Sequence, residues 1–125
     1  MKVRWMESSL RLRITPGELA ALQAGQAITE RALFPSGWSV ALQPGAESVL
    51  HSNTPGALTL TLSADELAEL AQPQTEGVYV TAEHYKFFVE KDFPCAHPRP
   101  KEAQESTATF APPSGFAERH KTLCS

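Results

Sequence analysis

One pattern occurs twice in this chain and constrains its fold more than any other feature. Residues 9–15 alternate apolar and polar side chains and end in Thr15, with Glu18 three positions later. Residues 57–63 repeat the alternation and end in Ser63, again with a glutamate three positions later. An alternation of period two predicts a half-buried strand, and a hydroxyl followed by glutamate at that spacing predicts a helix start. Each copy therefore predicts a strand that leads directly into a capped helix.

The helix boundaries follow from the residues that cap and end them. The first helix is predicted over residues 16–24, because Pro16 suits the first helical position and Gly25 can adopt the left-handed conformation that ends a helix. The second is predicted over residues 64–71, with Pro73 as its terminator. Both are short, so they depend on packing against the rest of the chain.

The remaining regular structure is predicted to be strand. Residues 2–6 alternate, and two hairpins are expected, one from residues 28–34 and 38–42 and one from residues 78–81 and 85–91. Trp38 is expected in the core, as large aromatic side chains usually are. Residues 44–56 contain proline, glycine, serine and asparagine and are predicted to be a loop between two halves.

Together these elements predict an α+β protein made of duplicated strand-helix-hairpin units. We expect the two units to pack about a pseudo-twofold axis as one curled antiparallel sheet or small barrel with two short helices, because neither could bury its sheet alone. A single domain is predicted over residues 1–94. Residues 95–125 lose the alternation and are predicted to be an extended, partly disordered arm, so that a chain ending at Ala103 should still fold.

Composition narrows the class of protein. The chain has 125 residues, a formal net charge of −3 and a pI near 5.8, which argues against a general nucleic-acid coat protein. It contains no apolar run long enough to span a bilayer and no signal-peptide pattern, and its two cysteines form no disulfide framework. We expect a bacterial, cytoplasmic protein, a monomer or homodimer, without a membrane partner.

Basic residues cluster at the start of the chain. Lys2, Arg4, Arg11 and Arg13 fall on the outward positions of the first two predicted strands. If the protein binds nucleic acid, these four side chains are the candidates to contact phosphate. The acidic balance of the whole chain does not favour this alternative.

A second cluster lies where the repeat ends. Cys95 and His97 could ligate zinc with His120 and Cys124, or could form a thiol-imidazole pair. The spacing is unusual for both, so a structural contact that fixes the start of the arm is favoured, and no metal and no cofactor are predicted. Asp92 and Arg99 flank the cluster with opposite charge and are expected to pair.

A resemblance to a known group of sequences rests on the run Glu90-Lys91-Asp92-Phe93-Pro94-Cys95-Ala96-His97-Pro98-Arg99. It resembles a family of small uncharacterised bacterial proteins that share a KDFxCxHPR motif near the C-terminus. The resemblance implies Asp92, Cys95, His97 and Arg99 as binding residues. It implies no activity, because that family has none established.

A second resemblance concerns the run Arg4-Trp5-Met6-Glu7-Ser8-Ser9-Leu10-Arg11-Leu12-Arg13-Ile14, followed by a helix and a hairpin. It looks like the swapped-hairpin half-barrel of AbrB and MazE, in which two halves form a DNA-binding dimer. Here residues 57–93 would supply the second half. Glu7-Ser8 replaces the Gly-Asn usual in that fold, and Thr59 and Thr61 stand where basic residues would assist binding.

Function is therefore predicted at a coarse level. The favoured interpretation is a non-catalytic interaction or ligand-binding module whose partner is a protein or a small molecule. The alternatives are an AbrB-like nucleic-acid-binding or regulatory protein, and a small metal- or thiol-dependent enzyme centred on Cys95 and His97.

Overall fold

The computed structural model describes residues 1–32, 37–93 and 109–115. Within these residues the chain forms eight strands and two helices. In chain order they are β1 (Lys2–Trp5), β2 (Ser9–Ile14), α1 (Pro16–Gln23), β3 (Ile28–Ala32), β4 (Trp38–Gly45), β5 (Val49–Thr54), β6 (Ala57–Ser63), α2 (Ala64–Leu70), β7 (Gly77–Thr81) and β8 (Lys86–Lys91).

The strands form two separate four-stranded sheets. The first sheet has the order β1-β2-β8-β7 and the second sheet the order β3-β4-β6-β5. At the centre of the first sheet β2 runs parallel to β8, and at the centre of the second β4 runs parallel to β6. All other pairs are antiparallel, so both sheets are mixed. The prediction of one curled antiparallel sheet or barrel is wrong, and the fold is richer in strand than α+β implied.

The connections explain why one sheet does not form. After β2 the chain leaves the first sheet through α1 and enters the second sheet at β3; after β6 it returns through α2 to β7. Each helix thus carries the chain from one sheet to the other. As a result, the two hairpins on either side of each helix are divided between the sheets, and each central parallel pair joins strands that are not consecutive in the chain.

A strand was missed in the segment predicted to be a loop. β4 continues to Gly45, and β5 pairs antiparallel with β6 over much of the predicted loop. Polar side chains support this edge of the sheet: the Ser52 hydroxyl donates to the carbonyls of Thr54 (3.0 Å) and Ala57 (2.8 Å). The hydroxyl of Ser48 accepts from Ser63 N at 2.9 Å. The polar composition that predicted a loop thus supplies hydrogen bonds to strand ends.

Both helices begin as predicted. Thr15 and Glu18 form a complete capping box, with Thr15 Oγ1 accepting from Glu18 N at 3.3 Å and Glu18 Oε1 accepting from Thr15 N at 3.0 Å. Ser63 Oγ accepts from Glu66 N at the start of α2. Gly25 has φ of 84°, which ends α1 in the left-handed region. In the described part of the chain no helix is long and apolar enough to cross a membrane.

One hydrophobic core lies between the sheets and the helices. Its apolar members come from both sheets and both helices, and the two occurrences of the repeated pattern contribute equivalent positions. The buried members are Leu10, Leu12, Ile14, Leu19, Leu22, Val40, Leu42, Leu60, Leu62, Leu70, Val78, Phe87 and Val89. Leu58 and Leu67, also predicted in this core, are partly buried against it.

A segment near the C-terminus also contacts the core. Phe110 packs against it, its ring centre lies 6.2 Å from that of Phe93, and its N–H donates to the carbonyl of Asp92 at 2.9 Å. The expectation that a chain ending at Ala103 still folds did not include this contact. Residues 94–108 and 116–125, including most of the predicted arm, lie outside the described residues.

Candidate functional site: a groove between the two sheets

A groove opens between the sheets at the end where the four central strands β2, β4, β6 and β8 begin. Its volume is about 310 Å³. The first sheet contributes the turn between β1 and β2 and the turn between β7 and β8, and the second contributes β5 and the start of β6. The lining residues are Trp5, Met6, Glu7, Ser8, Ser9, Leu10, Leu50, His51, Ser52, Leu58, His84, Tyr85 and Lys86.

Two exposed tryptophans lie at this end of the molecule. Trp5 pairs with Leu10 and therefore lies on the core-facing side of the first sheet, yet 55% of it is exposed. Trp38 has the core-facing parity of Val40 in the second sheet and is 42% exposed, so its prediction as a core residue is wrong. The two rings meet edge to face, with centroids 5.5 Å apart. Because both lie at strand ends, beyond the buried layers, they contact each other across the sheets and remain open to solvent.

Tyr85 links the two sheets at the groove by hydrogen bonds. It lies just before β8, and its hydroxyl accepts from Leu50 N at 3.3 Å and donates to Leu50 O at 3.1 Å. Leu50 belongs to β5, which with β3 forms the two edges of the second sheet. One side chain of the first sheet thus satisfies both main-chain groups of a residue in the second.

Replacing Tyr85 tests this link. We expect Tyr85→Phe to lower the free energy of unfolding by about 0.5–1.5 kcal/mol, because Leu50 N and O lose their partner while the ring stays in place. Chemical denaturation measures the change. As a control, Tyr79→Phe removes a hydroxyl that makes only an exposed 3.5 Å contact with Glu90 Oε2, so a smaller effect is expected. Equal effects for the two variants would show that the link is not a stabilising one.

Polar side chains surround the apolar part of the groove. Glu7 and Lys86 carry opposite charges, and His51 and His84 come from the two different sheets. His84 Nε2 lies 4.0 Å from Glu83 Oε2, and both side chains are well exposed. Among the described residues no group of three or more His, Cys, Asp and Glu side chains could hold a metal ion. The arrangement is suited to binding and orienting a molecule.

The four N-terminal basic residues are brought together but are partly neutralised. The register places Lys2 opposite Arg13 and Arg4 opposite Arg11, all on the outer face of the first sheet. Lys2 Nζ lies 3.0 Å from Asp92 Oδ2. Arg11 Nε lies 2.7 Å from Glu90 Oε1, an ion pair without hydrogen-bond geometry, and its guanidinium also lies over the Phe88 ring. Two of the four cations thus already have carboxylate partners.

Of the four motif residues predicted to bind, only Asp92 lies within the described residues. Asp92 is buried and is bound to Lys2. Cys95, His97 and Arg99 lie outside the described residues, so the expected pairing of Asp92 with Arg99 remains a prediction.

Lys91 was not singled out from the sequence, although it is one of the least expected buried groups. It is 6% exposed, its Nζ donates to the carbonyl of Gln72 at 2.7 Å, and it lies 5.3 Å from the centre of the Phe110 ring. Gln72 follows the end of α2, where a cation is favourable. Burial lowers the pKa of Lys91 below its usual value. Its parity with the core residues Phe87 and Val89 was the sequence feature that could have revealed it.

Fold and groove together define a strand-rich protein of two mixed sheets with an open groove at one end. The chain belongs to a family of unknown function, DUF7009, whose model matches residues 1–114. No curated protein and no solved structure gives a match. The comparisons therefore support the prediction that the chain belongs to a family of unknown function. They do not confirm the KDFxCxHPR motif as a family feature or the resemblance to AbrB and MazE.

Proposed function

We propose that this protein is a non-catalytic ligand-binding module and that the groove binds a small molecule carrying an aromatic ring. The observation that carries the proposal is the open end of the inter-sheet space, where core-facing side chains such as Trp5 and Leu58 line a groove and Trp5 stays exposed. A large apolar side chain exposed at a concave surface is typical of a binding site.

The size of the groove limits its ligand. Small-molecule sites typically have volumes of about 300 to 1,000 Å³, so a groove of about 310 Å³ lies at the small end of this range. It suits one or two rings better than a long chain. The indole of Trp5 offers a face or an edge for stacking against such a ring, a contact worth about 0.5–1.5 kcal/mol beyond the area buried.

The polar residues at the rim indicate how such a ligand would be oriented. Lys86 supplies a cation on one side of the groove, and His51 and His84 offer hydrogen-bonding nitrogens from the two sheets. A ligand with a ring and an acidic substituent would bury the ring against Trp5 and Leu58 and leave its charge near Lys86. The anionic dye 1-anilinonaphthalene-8-sulfonate has this chemistry and serves as the probe.

Trp5→Ala tests the proposal with a matched control. We expect it to weaken binding of the dye about tenfold or more, because the ring that stacks on the ligand is lost. Tyr79→Ala removes an aromatic residue that is also 55% exposed but lies on the outer face of the first sheet, so dye affinity should not change. Binding is measured by the fluorescence of the dye titrated with each protein, after circular dichroism has shown that the wild type and both variants are equally folded. Equal loss in both variants, or no binding by the wild type, contradicts the proposal.

Nucleic-acid binding is less well supported by the same geometry. Two of its four candidate cations, Lys2 and Arg11, are paired with Asp92 and Glu90, and neutralised side chains contribute little to phosphate binding. No observation on the described residues favours a metal- or thiol-dependent enzyme at Cys95 and His97. Neither alternative is proposed.

The proposal extends to the origin and location of the module. The order strand, strand, helix, strand, strand occurs twice along the described chain, which supports an internal repeat. A bacterial cytoplasm remains the proposed setting, on the grounds of composition alone.

A further inference from the structure

Strand β1 forms one edge of the first sheet, and all four of its residues are exposed. β1 is paired with β2 along one side, and its other side is the edge of the sheet. In an antiparallel pair, alternate residues direct their N–H and C=O groups away from the partner, so the free side of β1 offers hydrogen bonds to a further strand. No main-chain hydrogen bond to this free side is found in the described part of the chain.

The two faces of β1 differ in chemistry. Val3 and Trp5 lie on the core-facing side, paired with Leu12 and Leu10, but are 37% and 55% exposed, although the Trp5 ring touches that of Trp38. Lys2 and Arg4 lie on the outer side, beside Arg13 and Arg11. A strand added to this edge would therefore meet apolar side chains on one face and cations on the other.

The cations on the outer face are not fully neutralised. Lys2 and Arg11 have carboxylate partners, whereas no salt bridge of Arg4 or Arg13 is found within residues 1–32, 37–93 and 109–115. Opposite charges directly across neighbouring strands are stabilising, and like charges are destabilising. This edge is thus complementary to a strand with acidic residues at alternate positions.

Two alternatives are less well supported, namely a second copy of β1 as the added strand and β5 as the edge that receives it. A second copy of β1 in antiparallel pairing would place the cations of both copies on the same face, where they repel each other. β5, an edge strand of the other sheet, is a less open site for an added strand, because the Tyr85 hydroxyl already binds both main-chain groups of Leu50. We therefore propose that β1 binds an extended peptide in which acidic and apolar residues alternate, as an added strand of the first sheet.

This inference goes beyond the proposed function, because it uses the main-chain edge of β1, which shares only Trp5 with the groove. The acidic side chains of the peptide would lie directly beside Arg4, with Arg13 one strand further away on β2, and its apolar side chains would cover Val3 and Trp5. Main-chain hydrogen bonds supply affinity in such strand addition, and the alternate side chains supply specificity.

The test uses the full chain and an acetylated peptide of about eight residues that alternates glutamate and valine. We expect measurable binding by calorimetry, weakened about tenfold or more by Arg4→Glu. The matched control is Arg31→Glu, which reverses an exposed cation on the outer face of β3, the edge strand of the second sheet, and should leave binding unchanged. A lysine-valine peptide should reverse the preference and bind Arg4→Glu better than the wild type.

A second peptide tests the main-chain hydrogen bonds. Methylation of alternate peptide nitrogens on one edge should abolish binding, whereas methylation of the other edge should not. Undiminished binding of both methylated forms, equal losses for Arg4→Glu and Arg31→Glu, or no binding at all would overturn the inference. Binding of the dye to the groove is measured on the same variants, so that a failure of the groove proposal is separately visible.

Discussion

Leu12→Ala should lower the free energy of unfolding by about 2–5 kcal/mol, the cost typical of removing a fully buried leucine. Leu12 is 0% exposed and lies at the centre of β2, between β1 and β8 and facing the core. The neighbouring side chains of β2 and β8, such as Ile14 and Val89, are buried as well. We therefore expect them to move little into the cavity that alanine leaves. Urea denaturation of the purified protein measures the change.

The matched control is Val3→Ala on the same rung of the sheet. Val3 pairs directly with Leu12 and faces the same side, but it is 37% exposed. We expect a loss well under half of that for Leu12→Ala, since part of the valine surface already contacts water. Similar losses at the two positions would mean that the core does not end at β2 as the structure has it.

Lys91→Ala is expected to have the second-largest effect on stability. The substitution removes the hydrogen bond to the carbonyl of Gln72 and the contact with Phe110. A hydrogen bond to a charged group is worth about 1.5–3 kcal/mol, and the Gln72 carbonyl would lose this donor. Lys91→Met keeps the apolar stem and should cost less. Denaturation of both variants at pH 7 gives the comparison.

The stability of the protein should also rise with pH because of Lys91. Burial lowers its pKa in the folded state, so above that pKa the unfolded chain binds more protons than the folded one, and unfolding becomes less favourable as pH rises toward 10.5. Tyr79 acts in the opposite direction above pH 10.0, because burial, and next the charge of Glu90, raises its pKa. The rise due to Lys91 is therefore sought below pH 10.0.

Lys91→Met separates the two effects. The variant lacks the titrating amine and should lose the rise in stability while keeping the decline due to Tyr79. Unfolding is followed by urea denaturation at several pH values on both proteins. A rise of the same slope in wild type and variant would assign it to another group.

Local structure could be predicted well from the sequence, because its causes are local. The capping box of Thr15 and Glu18 and the positive φ of Gly25 follow from side chains a few residues apart. The alternation in residues 9–15 and 57–63 correctly indicated which leucines face the core. These features require no knowledge of which strands are neighbours.

The arrangement of the sheets could not be predicted in the same way. Alternation shows which face of a strand is buried but not which strand lies beside it, and β2 with β8 and β4 with β6 pair although other strands lie between them in the chain. Strand β5 was missed because Ser52 and its polar neighbours look like a loop. The groove depends on both features, since β5 and the end of the inter-sheet space form it.

The exposure of Trp38 has the same origin. Its parity correctly placed it on the core-facing side of β4, but its position at the strand end leaves it beyond the layers covered by the opposite sheet. A strand end can be located from sequence only when the neighbouring strands are known. The tryptophan contact that marks the open end of the molecule was therefore not predictable from either residue alone.

Binding of small aromatic ligands in the groove between the two sheets can be observed residue by residue. A titration of the ¹⁵N-labelled full chain with the anilinonaphthalene dye, followed by amide chemical shifts, tests it most directly. We expect shifts concentrated at Trp5, Met6, Leu50, Leu58 and Tyr85, with Arg13 and Tyr79 on the outer face unchanged. Shifts concentrated at Arg13 and Tyr79, or none at saturating dye, would contradict it.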